Sequence, residues 1–346
     1  MQVYDVGENF KLTQKTKQKI SKIAQPMSVF VPKNSVIITL QGTIGRVALT
    51  QYDCYCDRTI LIFDNNTLND VNKYFFVLSL FTKFEEEKRK ADGSIIKTIT
   101  KQTLKDFEIP LPPLNEQIAI ANVLSDVDHY LYSLDALILK KESVKKALSF
   151  ELLSQRKRLK GFNQAWKKVR LGDIFFITAG GDLSKPHYSN TKQSDFNYPI
   201  YSNAIEKKGL YGYSSFFIIK NKSITITARG TMGVAFFRDY PYVPIGRLLV
   251  LQPKISNIDC RFYTEYINSK VKFNTEQTTI PQLTIPKVAL CEIPLPPLNE
   301  QAAIANILSD LDNEIISLKN KKRQFENIKK ALNHDLMSAK IRVLNK

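Results

Sequence analysis

Two stretches of the chain carry apolar residues at sevenfold spacing. Counting from Ile120 gives Ile120, Val127, Leu134, Lys141 and Leu148, with a companion series Leu124, Leu131, Ile138, Lys145 and Leu152. Counting from Ile304 gives Ile304, Leu311, Leu318, Phe325 and Leu332, with Leu308, Ile315, Lys322, Lys329 and Leu336. Paired series of this kind predict two long helices with coiled-coil seams, because the a and d positions of a heptad fall on one stripe. Each helix is announced by a Pro-Leu-Pro-Pro run that forces an extended approach. Asn115 or Asn299 then stands where an N-cap is wanted, with Glu116 or Glu300 in the first turn. The polar interruptions Lys141, Lys145, Lys322 and Lys329 fall at nearly matching levels, so the helices are expected to pair through Leu124, Leu131, Leu134, Ile138, Leu308, Leu311, Ile315 and Leu318, and to run antiparallel because the first must hand the chain through a linker around Gly161 to a second domain whose helix returns. A helix of about 40 residues would span roughly 60 Å. The alternative is that each helix packs only on its own domain.

The seams belong to a larger duplication. EIPLPPLNEQ occurs at Glu108–Gln117 and again at Glu292–Gln301, a displacement of 292 − 108 = 184. AIANVLSDVD and AIANILSDLD follow, and KKAL recurs at Lys145–Leu148 and Lys329–Leu332. Upstream, Gly42-Thr43-Ile44-Gly45 follows the strand-like VIITL, and Gly230-Thr231-Met232-Gly233 follows SITITA, at 230 − 42 = 188. Two units this long imply two similar domains in a pseudo-twofold arrangement, where a solenoid would need several short repeats. The expected fold class is α+β: two β-rich domains, at 1–114 and 161–298, joined and spaced by two long antiparallel helices at 115–160 and 299–346.

Composition narrows the partners. The chain has 346 residues, enough for two cores, and its 50 Lys+Arg against 33 Asp+Glu leave a formal charge of +17. That balance favours a polyanion such as nucleic acid. The longest apolar stretch, near Phe75–Phe81, is too short to span a membrane, and MQVYDVGENF does not read as a secretory signal, so a cytoplasmic protein with reduced thiols is expected. Cys54, Cys56, Cys260 and Cys291 lack metal-ligand spacing and read as packing residues; His129, His187 and His334 are too scattered for a metal site or a triad. There is no GxxxxGKS/T phosphate loop, no GxGxxG fingerprint and no Asn-Pro-Pro-aromatic methyltransferase motif.

Two β-rich domains, each closed by IPLPPLNEQ and a helix opening AIANxLSDxD, resemble the two target recognition domains and two helical spacers of the DNA specificity subunits of type I restriction-modification systems. In the second domain, WKKVRLGDIF at Trp166–Phe175 resembles the family's domain opening, and YPIYSNAIEKKGLYGY at Tyr198–Tyr213 its tyrosine- and glycine-rich segment. TTIPQL at Thr278–Leu283 also belongs to the likeness. The first domain departs from the pattern: 41 residues precede Gly42 and none match the opening, so this domain is read as shortened at its N-terminus or rearranged. The resemblance implies a subunit without an active site that binds double-stranded DNA of bipartite sequence, one half per domain. It implies partners too: two modification subunits that bring S-adenosylmethionine, and restriction subunits that use ATP and Mg. No cofactor is expected in this chain.

Candidate DNA contacts follow from residue type. The Gly-Thr-x-Gly turns, with Thr43 and Thr231, would bring backbone close to phosphate, and Arg46 and Arg229 flank them with charge; turn chemistry alone would also account for the glycines. The loop from Gly180 to Tyr201 combines Lys185, His187, Tyr188, Asn190, Lys192 and Gln193, which suits phosphates and base edges but equally a solvated loop. Gln282 and its positional equivalent Thr98 precede each domain-closing strand, where either would contact DNA or cap a turn. Lys140-Lys141 and Lys321-Lys322-Arg323 read as solvated helix faces that would also suit phosphates. A self-contained nuclease or methyltransferase and a coiled-coil scaffold remain as other readings.

Overall fold

The computed structural model describes residues 1–7, 9–13, 16, 18–42, 45–90, 101–273 and 282–344. The chain divides into two compact units, Met1–Ala136 with Lys319–Lys346, and Leu137–Leu318. These limits differ from the boundaries read along the sequence because the long helices are shared. Each unit holds one globular domain, the first half of the helix that follows it, and the second half of the other helix.

In unit 1, five short strands rich in β-branched residues come first: β1 (Val29–Val31), β2 (Val36–Thr39), β3 (Val47–Leu49), β4 (Cys54–Cys56) and β5 (Ile60–Ile62). β1 pairs with β4, and β3-β2-β5 forms an antiparallel sheet with Ile38 opposite both Val47 and Leu61. Helix α1 (Lys73–Lys90) follows, then the short α2 (Lys101–Lys105) and α3 (Leu114–Leu153). Phe75, Leu78 and Phe84 of α1 pack on Val36, Ile38 and Val47, and Ile120, Leu124, Leu336 and Met337 of the long helices close the same core.

Unit 2 opens with β6 (Lys167–Arg170), α4 (Leu171–Ile174) and β7 (Phe175–Ala179). Strands β8 (Tyr188–Ser189), β9 (Tyr198–Tyr201), β10 (Leu210–Ser214), β11 (Ser223–Ile226), β12 (Ala235–Arg238), β13 (Val243–Pro244) and β14 (Leu249–Pro253) follow. Then come α5 (Cys260–Lys270), α6 (Ile285–Ala289), β15 (Glu292–Leu295) and α7 (Leu298–Met337). One sheet has the order β12-β11-β14-β7 and is antiparallel; another runs β13-β9-β10-β8 with β13 parallel to β9; β15 pairs antiparallel with β6. Phe262 and Tyr263 of α5, Ile224 and Ile226 of β11, and Ile304 and Leu308 of α7 share the core.

The duplication is structural as well as sequential. β3-β2-β5 repeats as β12-β11-β14, α1 as α5, and α2 as α6 at 285 − 101 = 184. Both helix starts are tied by a buried glutamine. The Gln117 amide donates to Pro112 O at 2.8 Å while its oxygen accepts from Asn72 N at 2.9 Å; Gln301 donates to Pro296 O at 2.8 Å and accepts from Asp259 N at 2.9 Å. Asn115 and Asn299, read as N-caps, lie one residue inside the helix and accept only from the next amide, Glu116 N or Glu300 N, at 2.9 Å. Proline carbonyls at 113 and 297 take the first helical amides instead.

Within unit 1, α3 and α7 are joined by Lys329 with Asp128, by Lys322 with Asp135 at 2.7 Å, and by the Tyr130 and Phe325 rings at 4.6 Å. Within unit 2, Lys141 meets Glu314 at 2.7 Å and Lys145 meets Asp312 at 2.6 Å. Partner numbers fall along α7 as they rise along α3, so the helices run antiparallel. Every lysine that interrupts a seam thus finds a carboxylate across it. Partly exposed pairs of this kind contribute about 0.2–1 kcal/mol each, but they penalise any other register. Leu124, Leu134, Ile138, Leu308 and Ile315 are buried, whereas Leu131, Leu311 and Leu318 are only half-buried. A seam of two helices leaves its flanks open to water. The first turns of each helix also pack on their own domain, through Ile120 and Leu124 or Ile304 and Leu308.

Candidate nucleic-acid interface

In unit 2 the chain leaves β11 into a turn closed by Thr227. Thr227 N donates to Val234 O at 3.0 Å, Gly233 N donates to Thr227 O at 2.8 Å, and the Thr227 hydroxyl donates to Thr231 O at 2.6 Å. Gly230 and Gly233 have φ of +66° and +84°, and a Cβ on Gly233 would stand 2.9 Å from the Phe273 ring. The glycines therefore meet backbone and packing demands, and the turn presents Arg229 and Thr231 to solvent. Arg229 Nη2 donates to Gln282 Oε1 at 3.3 Å, so two residues singled out in the sequence lie side by side.

The bond that closes this turn recurs in unit 1, where Gly45 N donates to Thr39 O at 3.0 Å and Gly45, at φ +75°, faces the Phe84 ring. Thr43 lies outside the described residues, as does Thr98. Structural equivalence at 227 − 39 = 188 places Gln41, not Arg46, at the position of Arg229, and Gln41 is exposed. Arg46 corresponds to Val234. It is half-buried, and its guanidinium donates to Val6 O at 3.1 Å, a bond that serves the fold of unit 1.

The polar loop that follows β7 is anchored beside the Arg229 turn through Asn203. Asn203 Oδ1 accepts from Ala228 N at 2.7 Å, and its Nδ2 donates to Gly246 O at 2.6 Å. Gly246 N in turn donates to Gly181 O at 2.8 Å, and Arg247 N to Gly180 O at 3.1 Å. In the loop, His187 Nδ1 lies 2.8 Å from Ser215 Oγ with its ring against Phe216, and Tyr188 bonds Asn190 while its ring leans on Tyr211. Lys185, Asn190, Lys192 and Gln193 are exposed, with the Gln193 amide 3.3 Å from Ser189 Oγ.

A second basic turn was not legible in the sequence. Lys207, Lys208 and Gly209 take φ of +48°, +54° and +84° in succession, a left-handed run that costs lysine on the order of 1 kcal/mol per residue. It is held by Arg238, 1 % exposed, whose Nη2 donates to Lys208 O at 2.5 Å while the guanidinium lies 3.6 Å over the Tyr201 ring. Arg247, at φ +67°, is also exposed. Lys185, Lys192, Lys207, Lys208, Arg229 and Arg247 have no carboxylate partner among the described residues, which leaves their charge available to phosphate. The helix lysines behave differently: Lys141 and Lys322 are spent in ion pairs, whereas Lys140, Lys321 and Arg323 remain exposed.

Other chemistry is sparse. Burial pushes the Cys56 thiol up to about 11 and the Cys260 thiol up to about 12, consistent with packing roles. Among the described residues no three His, Cys, Asp or Glu side chains are placed to hold a metal ion, and no helix is long and apolar enough to cross a membrane. His129 and His334 are exposed on the long helices.

The sequence profile of the type I restriction modification DNA specificity domain matches residues 6–141 and 163–327, once on each repeat. The chain belongs to this family. A Mycoplasma pneumoniae protein named as a type I specificity subunit is 31% identical over 214 residues, 62% of this chain and 57% of its own length. This chain thus spans little more than half of that relative. The specificity subunit of a type I restriction enzyme from Methanocaldococcus jannaschii is 26% identical over 354 residues, covering 92% of this chain and 81% of its own. Among solved structures, the S subunit of a type I restriction-modification system from M. genitalium matches with a TM-score of 0.65 at 21% identity, over 89% of this chain and 83% of that one. The HsdS subunit of Thermoanaerobacter tengcongensis matches with 0.51 at 16% identity, over 97% and 89%. These likenesses give the specificity family's fold: two mixed domains with paired long helices.

Proposed function

We propose that this chain is the DNA-binding specificity subunit of a type I restriction-modification complex. It reads a bipartite target, one half-site per β-rich domain, and directs two modification subunits and the restriction subunits to that site. The chain itself is non-catalytic. S-adenosylmethionine, ATP and Mg are bound by the partner subunits, and the complex works in the cytoplasm. The observation that carries this reading is the double family match, one per repeat, together with an exposed Gly-Thr-x-Gly turn in unit 2 that sets Arg229 beside Gln282. A basic side chain that meets phosphate beside an amide that reads a base edge is the combination direct readout needs. The family match favours this role over a self-contained enzyme. The test is methylome mapping of cells expressing this chain with its modification subunits. A two-part methylated motif that disappears when the chain is omitted is expected, and turnover by the highly purified chain alone would refute the non-catalytic assignment.

A further inference from the structure

Two arginine-bearing turns meet at one end of the sheet β12-β11-β14-β7 in unit 2. β11 and β14 pair antiparallel with Ile226 opposite Leu249, and continuing that register sets Ala228 opposite Arg247. Asn203, just past β9, spans the two strands at that level. Its side chain accepts from Ala228 N at 2.7 Å and donates to Gly246 O at 2.6 Å. Arg229 follows the first of these residues and Arg247 the second, so a single amide fixes both turns.

The turn that carries Arg247 is built for glycine. Leu248 N donates to Ile245 O at 3.2 Å, and the two residues between them, Gly246 and Arg247, have φ of +64° and +67°. Left-handed backbone at both central positions is the pattern of a type I′ turn, which glycine, asparagine and aspartate normally fill. Arginine is disfavoured there by its Cβ. Packing does not ask for it either, since residues 242–245 and 248–251 are buried and only Gly246 and Arg247 between them are exposed. The strained backbone is held from three sides: Ile245 N donates to Tyr201 O at 2.9 Å, Gly246 N to Gly181 O at 2.8 Å and Arg247 N to Gly180 O at 3.1 Å. Strain retained at an exposed tip, under a side chain that the fold does not need, points to a ligand contact.

We propose that Arg247 is a phosphate contact in the half-site read by unit 2, and that Asn203 is the positioning residue that sets it relative to Arg229. The inference rests on the DNA-binding role proposed above. Guanidiniums carried on adjacent rigid turns raise the local potential, which an anion lying against them relieves. Phosphate is the anion that a duplex offers at every nucleotide, and the guanidinium fork matches its oxygens. Asn203 makes no such contact itself: it acts by keeping the two turns in register.

The test measures DNA binding by the complex of this chain with its modification subunits, at several salt concentrations. The duplexes carry the methylated motif or single-base-pair changes in it. Arg247→Gly is expected to reduce the salt slope by about one unit and to weaken all duplexes alike. Its unfolding midpoint should be kept, because glycine accepts the left-handed backbone. Arg247→Lys should restore most of the slope. Asn203→Ala should lower the affinity of the parent and leave that of the Arg229→Ala/Arg247→Gly double variant unchanged, which a merely structural role would not do. An unchanged slope in Arg247→Gly, relaxed specificity at one base pair in place of a uniform loss, or an equal effect of Asn203→Ala in both backgrounds would each overturn the proposal while the specificity reading stands. A parent complex that binds no motif dependent on this chain would sink that reading, and the proposal with it.

Discussion

Arg229 and Gln282 share a hydrogen bond of 3.3 Å although 53 residues separate them in the chain. The bond is long for an N–H···O contact and lies near the surface, so it positions both groups and yields readily to a better partner. Arg229→Ala is expected to weaken DNA binding by the assembled complex. A loss of about one unit of salt slope, equal across sequences, would mean a phosphate contact; a loss of roughly 1–3 kcal/mol with relaxed specificity at one position would mean a base. Binding isotherms at several salt concentrations decide between them, and unchanged binding removes Arg229 from the interface.

Glu300 and Glu116 occupy the same place in identical sequence, yet only Glu300 is buried against Arg158 and Trp166. Glu300→Ala leaves a guanidinium and an indole N–H without their acceptor and should cost about 3 kcal/mol or more. Glu116→Ala loses only a helix-dipole contribution, under about 1 kcal/mol. Urea unfolding of the two variants side by side measures the difference, and equal losses would show that the repeats are energetically alike.

That contrast shows where sequence was legible and where it was not. The seam was legible because a helix fixes which side chains share a stripe, so Leu124, Leu134, Ile138, Leu308 and Ile315 could be named from spacing alone. The strand at Glu292–Leu295, which has no counterpart at Glu108–Leu111 among the described residues, was not, because pairing depends on a partner elsewhere in the chain. At the candidate interface, Arg229 and Gln282 stood out by residue type within the repeat. Arg46 follows the second glycine of its turn whereas Arg229 precedes the first, and residue type alone did not show that Arg46 also bonds Val6 O. Asn203, Lys207, Lys208, Arg238 and Arg247 gave no local signal: their placement comes from left-handed backbone and from bonds that span tens of residues.

Glu265 offers a test by pH. Burial raises its carboxyl above the ordinary range, and this outweighs the opposing pull of Lys145, 3.4 Å away. A carboxyl whose folded pKa is raised binds its proton more tightly in the folded state. Its contribution to stability is therefore full below the unfolded value and is lost as pH rises through the folded one. Compared with Glu265→Gln, the parent protein should be relatively more stable at pH 4 than at pH 7. Denaturant unfolding at both pH values checks the sign; the reverse order would mean that the Lys145 ion pair dominates.

The long helices offer a last test, since α3 and α7 each contribute to both units and each is 40 residues long. If the helix pair sets the distance between half-sites, removing one heptad from each should change that distance without touching either reader. Residues 132–138 and 319–325 form a matched pair of heptads: the deletion takes Asp135 out together with its partner Lys322, while Lys329 with Asp128, Lys141 with Glu314 and Lys145 with Asp312 stay in register. Seven residues shorten a helix by about 10 Å, which corresponds to roughly three base pairs of duplex. A whole heptad keeps the seam in phase, whereas a deletion of two residues would turn Leu134 and its neighbours into water and should cost folding, which makes it the control. Methylome mapping of the folded heptad variant is expected to return both original half-sites with fewer base pairs between them. The original spacing in a folded variant would mean that the helices do not set the gap, and that the spacing is imposed by the partner subunits instead.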